Sequence, residues 1–360
     1  MQKPLLSVCI ITYNHAKYIR ECIDSILEQQ LTVPWEIVIA DDHSTDGTRE
    51  IIQEYQKKYP DLIRLILQKK NVGAEQNWLD LLANPKSKYL LYAEGDDFFT
   101  DLSKLQTQVA FLESHSEYSI CFHPVRIMYE DGSVPDEIYP TPDMQAKKQF
   151  TIQALLAHNF MQTNSVMYRW RFANQDVRNI LPRNIAPGDW YLHLLHAQVG
   201  KIGYIERVMA VYRRHEGGVM WNAHADLDRL WTNQGIKYLG MFWEALKLCG
   251  SNSAQRKVVL RQIYDMFERF MDLDGRKSTK LLVQAAQIYP EALQYYATEL
   301  RHAMHREIDE AHELQVLRSR LAESEAKVES YAHELRSLKN SKFWKMRNRG
   351  AVIVGKKPIR

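Results

Sequence analysis

With 360 residues, 45% hydrophobic and 25% charged, the chain is long enough for one large or two medium domains with a real apolar core. A net charge of only +3 at pH 7 excludes a globally basic nucleic-acid binder, and no apolar run approaches the roughly 20 residues of a membrane span. The cysteines Cys9, Cys22, Cys121 and Cys249 lie far apart in apolar segments, which fits reduced core thiols and a cytoplasmic setting better than a disulfide frame or zinc site.

In chain order, Leu5 to Thr12 is a short β-rich apolar run, too short for a secretory signal, and it runs straight into a loop at Tyr13-Asn14-His15. Ile19, Cys22, Ile23, Ile26 and Leu27 then fall at helical spacing. A second strand, Trp35 to Ala40, ends in Asp41-Asp42, and Ser44-Thr45-Asp46-Gly47-Thr48 opens a helix to about Tyr59. Leu62 to Gln68 reads as a third strand, Asn71-Val72-Gly73 as a turn, Ala74 to Ala83 as a helix and Tyr89 to Ala93 as a fourth strand. Strands alternating with helices predict right-handed crossovers and a mostly parallel α/β sheet covered on both faces, with ligands bound beyond the carboxyl ends of its strands. Thr12, Asp41, Asp42, Asp96 and Asp97 all fall at those ends.

The fourth strand ends in Glu94-Gly95-Asp96-Asp97, three carboxylates within four residues. Like charges are unfavourable so close together unless a cation holds them, and oxygen ligands suit Mg2+ or Mn2+ carrying a diphosphate. The alternative is an acidic turn in which Asp97 or Asp101 caps the next helix. Further on, the spacing predicts a helix over Asp101–His115, one long strand over Tyr118–Tyr129, a short helix over Thr151–His158 and a strand over Asn164–Tyr168. Pro187-Gly188-Asp189-Trp190 opens another helix, and a last strand, Gly203 to Tyr212, leads into Arg213-Arg214-His215. By position alone Asp189 could be a helix cap.

From about Asp226 to Leu300 the pattern is helical. Leu314, Leu317, Leu321, Val328, Tyr331, Leu335 and Leu338 then recur at spacings of three and four, with only Ser324 breaking the seam, predicting a coiled coil of roughly three to four heptads and self-association through it. A single amphipathic helix laid on the rest of the chain would show the same stripe. Lys339 to Arg360 carries eight Lys or Arg and no acid, leaving the remainder at −5. Its Phe343-Trp344 pair among cations suits either peripheral contact with an anionic membrane or a solvated tail.

Val8-Cys9-Ile10-Ile11-Thr12-Tyr13-Asn14, Asp41-Asp42-His43-Ser44-Thr45-Asp46-Gly47-Thr48, Asn71-Val72-Gly73 and Glu94-Gly95-Asp96-Asp97, in that order and spacing, resemble the family 2 glycosyltransferases of GT-A fold. The resemblance continues through Gly188-Asp189-Trp190 to Tyr212-Arg213-Arg214-His215 and covers about residues 1 to 220. It implies a GT-A type, Rossmann-like sheet sandwiched by helices and an inverting transfer of sugar from a nucleoside-diphosphate sugar to a hydroxyl. It also implies roles for single residues. Thr12, Tyr13 and Asn14 line the nucleoside pocket; Asp42 meets the nucleobase imide, with Asp41 supporting; Asp96 lies near the ribose or sugar. Asp97, favoured over Asp96, ligates Mn2+ or Mg2+, and His215 sits near the metal or diphosphate. Asp189 is the catalytic base, although Gly188 stands where relatives more often carry Glu. Apart from the resemblance, the less patterned stretch ending at Thr163, and Trp190 with a ring able to stack on a sugar, are candidates for acceptor contact, the alternative for either being plain core.

An imide-reading Asp42 favours UDP- or dTDP-sugar donors, with a glycan, lipid-linked or protein acceptor of a bacterial surface glycan at the inner face of the membrane. The chain thus divides into a transferase domain (1–222), a helical region (223–302), a coiled-coil helix (303–340) and a basic aromatic tail (341–360). The competing reading is a catalytically degenerate scaffold acting through its coiled coil and tail. A dinucleotide oxidoreductase or a P-loop kinase is excluded by the absence of G-x-G-x-x-G after the first strand and of G-x-x-x-x-G-K-[ST] anywhere. A sugar nucleotidyltransferase would carry a Gly-rich basic loop after that strand, and the sequence there is Tyr13-Asn14-His15.

Overall fold

In the computed structural model, which describes residues 3–218, 221, 227–310, 322–331, 333, 334 and 337, Leu6–Thr12 forms strand β1, buried except at Ile11. Helix α1 (Ile19–Leu27) follows, laying Ile19, Cys22, Ile23 and Ile26 in one buried stripe. Then β2 (Trp35–Asp41), α2 (Thr48–Lys58), β3 (Ile63–Leu67), α3 (Ala74–Leu82) and β4 (Tyr89–Glu94) repeat the unit. Next come β5 (Phe98–Phe99), α4 (Lys104–Ser114), β6 (Tyr118–Phe122), β7 (Val125–Tyr129), β8 (Glu137–Tyr139), α5 (Pro142–Lys147), α6 (Ile152–Ala157) and β9 (Met167–Arg169). The series continues with α7 (Gly188–Ala197), β10 (Lys201–Tyr204) and β11 (Ala210–Arg214), and then α8 (Leu227–Leu248), α9 (Ser253–Asp272), α10 (Gly275–Ile288) and α11 (Pro290–Glu310).

The main sheet has the order β10-β6-β9-β4-β1-β2-β3, parallel except for β9, which runs antiparallel to both β4 and β6. β1 lies between β4 and β2, with Thr12 opposite Asp41 and Ile11 opposite Glu94, so the polar residues after β1, β2 and β4 emerge on one edge. Val8, Ile10, Ile37, Ile39, Leu91 and Ala93 pack beneath that edge, each large side chain contributing about 1.5–3 kcal/mol of burial. The four cysteines are free and buried, as the sequence indicated.

Two long predicted strands divide. Tyr118–Tyr129 breaks at His123-Pro124, where proline offers no N–H and steers its predecessor away from regular pairing; β6 stays in the main sheet and β7 joins a second one, ordered β5-β11-β7-β8. Likewise Gly203–Tyr212 becomes β10 in the main sheet and β11 in the second. That switch carries Arg213 and His215 to the acidic turn.

The described residues form two compact units, one from Met1–Leu227 with Glu244–Val259, the other from Asp228–Trp243 with Leu260 onward. In the second, Phe267 stacks on Tyr296 and meets Phe270 edge-to-face, with ring centroids 5.0 and 5.8 Å apart. Among the described residues no helix is long and apolar enough to cross a membrane. Most of the heptad seam and the whole basic tail lie outside the described residues; of the seam, Val328 is exposed and the Tyr331 hydroxyl reaches Thr279 Oγ1 at 3.5 Å.

Candidate active site

The loop after β1 is tied to the loop after β2 through backbone groups. Asn14, in a left-handed conformation that Asn tolerates, donates its N–H to Ser44 Oγ at 2.9 Å and accepts Thr45 N–H on Oδ1 at 2.9 Å. The next two amides bind Thr48 Oγ1 and Asp46 Oδ2. These bonds leave Tyr13 at the rim, 44% exposed.

The two acids after β2 part company. Asp41 is fully buried and paired with Arg49, whose Nε and Nη2 approach Oδ2 to 2.7 and 2.6 Å. Asp42 accepts the amides of Val72 and Gly73 at 2.7 and 2.9 Å, one on each oxygen, and so anchors the turn after β3. Each Asp42 oxygen keeps a further lone-pair site for an incoming N–H.

Around the acidic turn after β4 the packing is tight. A Cβ on Gly95 would lie 2.9 Å from Thr12 Oγ1 and Ile19 Cδ1 and 3.0 Å from His15 Nδ1, so only glycine lets this turn close against β1. Asp96 Oδ2 lies 3.0 Å from His215 Nε2 and 3.8 Å from His15 Nε2. Burial pushes the Asp96 carboxyl upward, but the His215 hydrogen bond and the two imidazole charges outweigh it, and the group sits below the usual range. Asp97 is different. Its Oδ1 accepts the Arg213 amide at 3.0 Å, and burial, then the charges of Asp96 and Glu94, push its carboxyl well above the usual range. The Arg213 side chain donates from Nε to the Asp96 carbonyl at 2.9 Å and pairs with Glu21. Burial, then Asp96 and Asp189, raise Glu94 to about 8. Four buried polar atoms here, Thr12 Oγ1, His15 Nδ1, Asp96 Oδ1 and Asp97 Oδ2, have no partner.

Asp189 approaches from α7. The residue capping that helix is Pro187, and no side chain caps it. The Asp189 carboxylate instead accepts Thr163 Oγ1 on Oδ2 at 2.9 Å, with His193 Nε2 4.0 Å away. Trp190 corrects the sequence expectation: its indole is buried and donates to the Leu155 carbonyl at 2.8 Å, so it serves the core and offers no open platform to a sugar.

Residue by residue, the fold thus gathers Thr12, Asp96, Asp97, His215 and, through its charge on Glu94, Asp189 at one strand edge. Sequence reasoning counted Glu94 without giving it a role and passed over His15, Arg213 and His193. For His193 a signal existed, since it stands four residues after Asp189 on a predicted helix and must share its face.

The profile of glycosyl transferase family 2 matches residues 7–171. An uncharacterized protein of Mycobacterium tuberculosis is 38% identical over 285 residues, spanning 79% of this chain and 80% of that one. The chain belongs to glycosyl transferase family 2. This family 2 chain is also 26% identical over 291 residues to the hyaluronan synthase of Pasteurella multocida, which covers 81% of the chain but 26% of the synthase. Among solved structures, a mannosyltransferase from Pyrobaculum calidifontis in complex with GDP-Man and Mn2+ covers 82% of this chain and 84% of its own, with a TM-score of 0.51 at 14% identity. That likeness is one of fold, and the family 2 chain has the GT-A architecture.

The residues of this family 2 site fit a divalent cation. Asp96 Oδ1 and Asp97 Oδ2 are hard oxygen donors buried without partners, and the upward push on Asp97 is what a cation would relieve. Among the described residues no three His, Cys, Asp or Glu side chains already stand as a metal cage. A cation would therefore complete its shell with oxygens of a bound molecule, as Mg2+ and Mn2+ do with phosphates.

Proposed function

We propose that the protein transfers a sugar from a nucleoside-diphosphate sugar to a hydroxyl of a glycan or glycoconjugate acceptor, with inversion. The observation that supports this reading is that Asp96 Oδ1 and Asp97 Oδ2 are buried at the strand end without partners, with Asp189 close enough for its charge to help raise Glu94 in the same turn. Tyr13 offers an exposed ring to the nucleobase, and Asp42 offers lone pairs that favour a uracil- or thymine-type imide. Asp96 with His215 is the better cation seat, because Oδ2 and Nε2 already lie 3.0 Å apart; Asp97, with Oδ1 held by the Arg213 amide, has only its partnerless Oδ2 left to offer. A Mn2+ or Mg2+ there supplies charge to stabilise the departing diphosphate. Asp189 takes the proton of the acceptor hydroxyl, and a base separate from the leaving group implies attack from the opposite face, hence inversion. The similarity to hyaluronan synthase supports a polysaccharide acceptor and a place in surface-glycan synthesis.

The test is nucleotide-sugar hydrolysis across UDP-, dTDP- and GDP-sugars with Mn2+, Mg2+ or chelator. One donor is expected to release its nucleoside diphosphate in a metal-dependent way. Asp189→Asn is expected to lower turnover on the order of 10²–10⁴ while donor binding persists. Lost donor binding with intact turnover would overturn the base assignment. Neither hydrolysis nor nucleotide binding anywhere in the panel would overturn the whole reading in favour of a scaffold.

A further inference from the structure

One turn behind Asp189 on α7, His193 has no exposed surface. Its Nδ1 lies 2.7 Å from the Tyr168 hydroxyl on β9, the two rings stacked at 24° with centroids 5.8 Å apart. Burial keeps the Tyr168 phenol protonated, and burial lowers His193 to about 4, so a neutral phenol meets a neutral imidazole. Two tautomers are open to that pair. If Nδ1 carried the hydrogen, Nε2 would aim a bare lone pair at Asp189 Oδ2, 4.0 Å away. If Tyr168 donates to Nδ1, Nε2 carries the hydrogen and aims it at the carboxylate. Electrostatics selects the second, since the partner of one ring nitrogen sets the state of the other.

In this arrangement Nε2 is a buried N–H without a partner. Leaving such a group unpaired is unfavourable, and 4.0 Å is too long for a hydrogen bond. Bonds of this kind in unliganded sites tighten when the reacting molecule arrives. Thr163 Oγ1 already holds the same oxygen at 2.9 Å.

We propose that His193, backed by Tyr168, is a positioning residue that with Thr163 holds Asp189 by Oδ2 and leaves Oδ1 to take the acceptor proton. The inference rests on the reading of Asp189 as base. Its chemistry is specific in that both donors are neutral. An Arg or Lys at that place would stabilise the carboxylate anion and weaken it as a base, whereas a neutral N–H and O–H orient it at less cost to basicity. One turn further on, His196 is equally buried with an orphaned Nε2, but its Nδ1 pairs with the Leu192 carbonyl and its ring stacks on Trp170. It serves as the packing comparator.

The experiment uses the full chain and the nucleotide sugar that its hydrolysis panel selects. His193→Leu is expected to lower kcat about ten- to hundredfold with KM for donor unchanged, because the base is misplaced while the donor pocket is intact. His193→Gln, whose amide can set an N–H where Nε2 stood, should recover most of that loss, and in an Asp189→Asn background His193→Leu should cost nothing further. Nitrogen NMR of the labelled protein gives a readout independent of turnover: the Nε2–H tautomer at neutral pH, with an Nε2 resonance that moves in Asp189→Asn. An Nδ1–H tautomer, or an Nε2 resonance indifferent to Asp189→Asn, would overturn the proposal. So would equal losses from His193→Leu and His196→Leu. If Asp189→Asn leaves hydrolysis intact, the base reading itself falls; if only the His193 variants are silent, the positioning role alone falls.

Discussion

Asp96 and Asp97 are neighbours in the chain with opposite environments, and the difference yields a test at the scale of one carboxyl group. Asp96 stands between two imidazoles, while Asp97 is 1% exposed and holds the Arg213 amide. Asn can still accept that amide, so Asp97→Asn is expected to fold and to keep metal-dependent nucleotide binding. Asp96→Asn is expected to lose it. Titrating nucleoside diphosphate with and without Mn2+ into both variants checks the order, and the reverse order would make Asp97 the ligand that the family resemblance favoured. Much of this was legible beforehand, because acids crowded at a strand end are a local pattern. His215 was less so: it lies 119 residues from Asp96, and only the path of β11 brings them within 3.0 Å.

At the scale of elements, apolar periodicity found each central strand and its following helix to within a few residues. It missed the breaks at Pro124 and after Tyr204, since a run of β-prone residues does not say which of two sheets its halves will join. Packing can also reverse an element's own preference. Gly235 lies inside α8, where Ala would ordinarily favour the helix by up to about 1 kcal/mol. A Cβ there would lie 2.6 Å from Cε1 of the fully buried Phe270 on α9. Overpacking of that kind costs about 1–3 kcal/mol, so Gly235→Ala is expected to lower the denaturant midpoint. A raised midpoint would mean that the two helices separate readily.

For the whole molecule, buried titratable groups of both signs set how stability varies with pH. Burial holds His193 near 4 and His196 near 3, and keeps His123 well below its ordinary value. Between those values and 6.5 the unfolded chain binds more protons, so stability is lost as pH falls through that window. Glu94, raised from 4.5 to about 8, and Asp97, raised likewise, act the other way: the folded chain holds the extra protons, and stability is lost as pH rises toward 8. Thermal midpoints in chelator are therefore expected to peak at about pH 6.5. Mn2+ should flatten the alkaline limb and His196→Phe the acid one; a midpoint that rises steadily from pH 5 to 8 would contradict the assignment. The sequence by itself determined the alternation of strand and helix, the polar strand ends and the family motifs, because each is written in residues a few positions apart. Tertiary structure alone decided that β9 enters antiparallel between β4 and β6, and that Trp190 goes to the core. It also decided that Thr163, Tyr168 and His193 converge behind Asp189. These depend on distances between groups far apart in the chain, which burial and hydrogen bonding settle only once the sheet has closed.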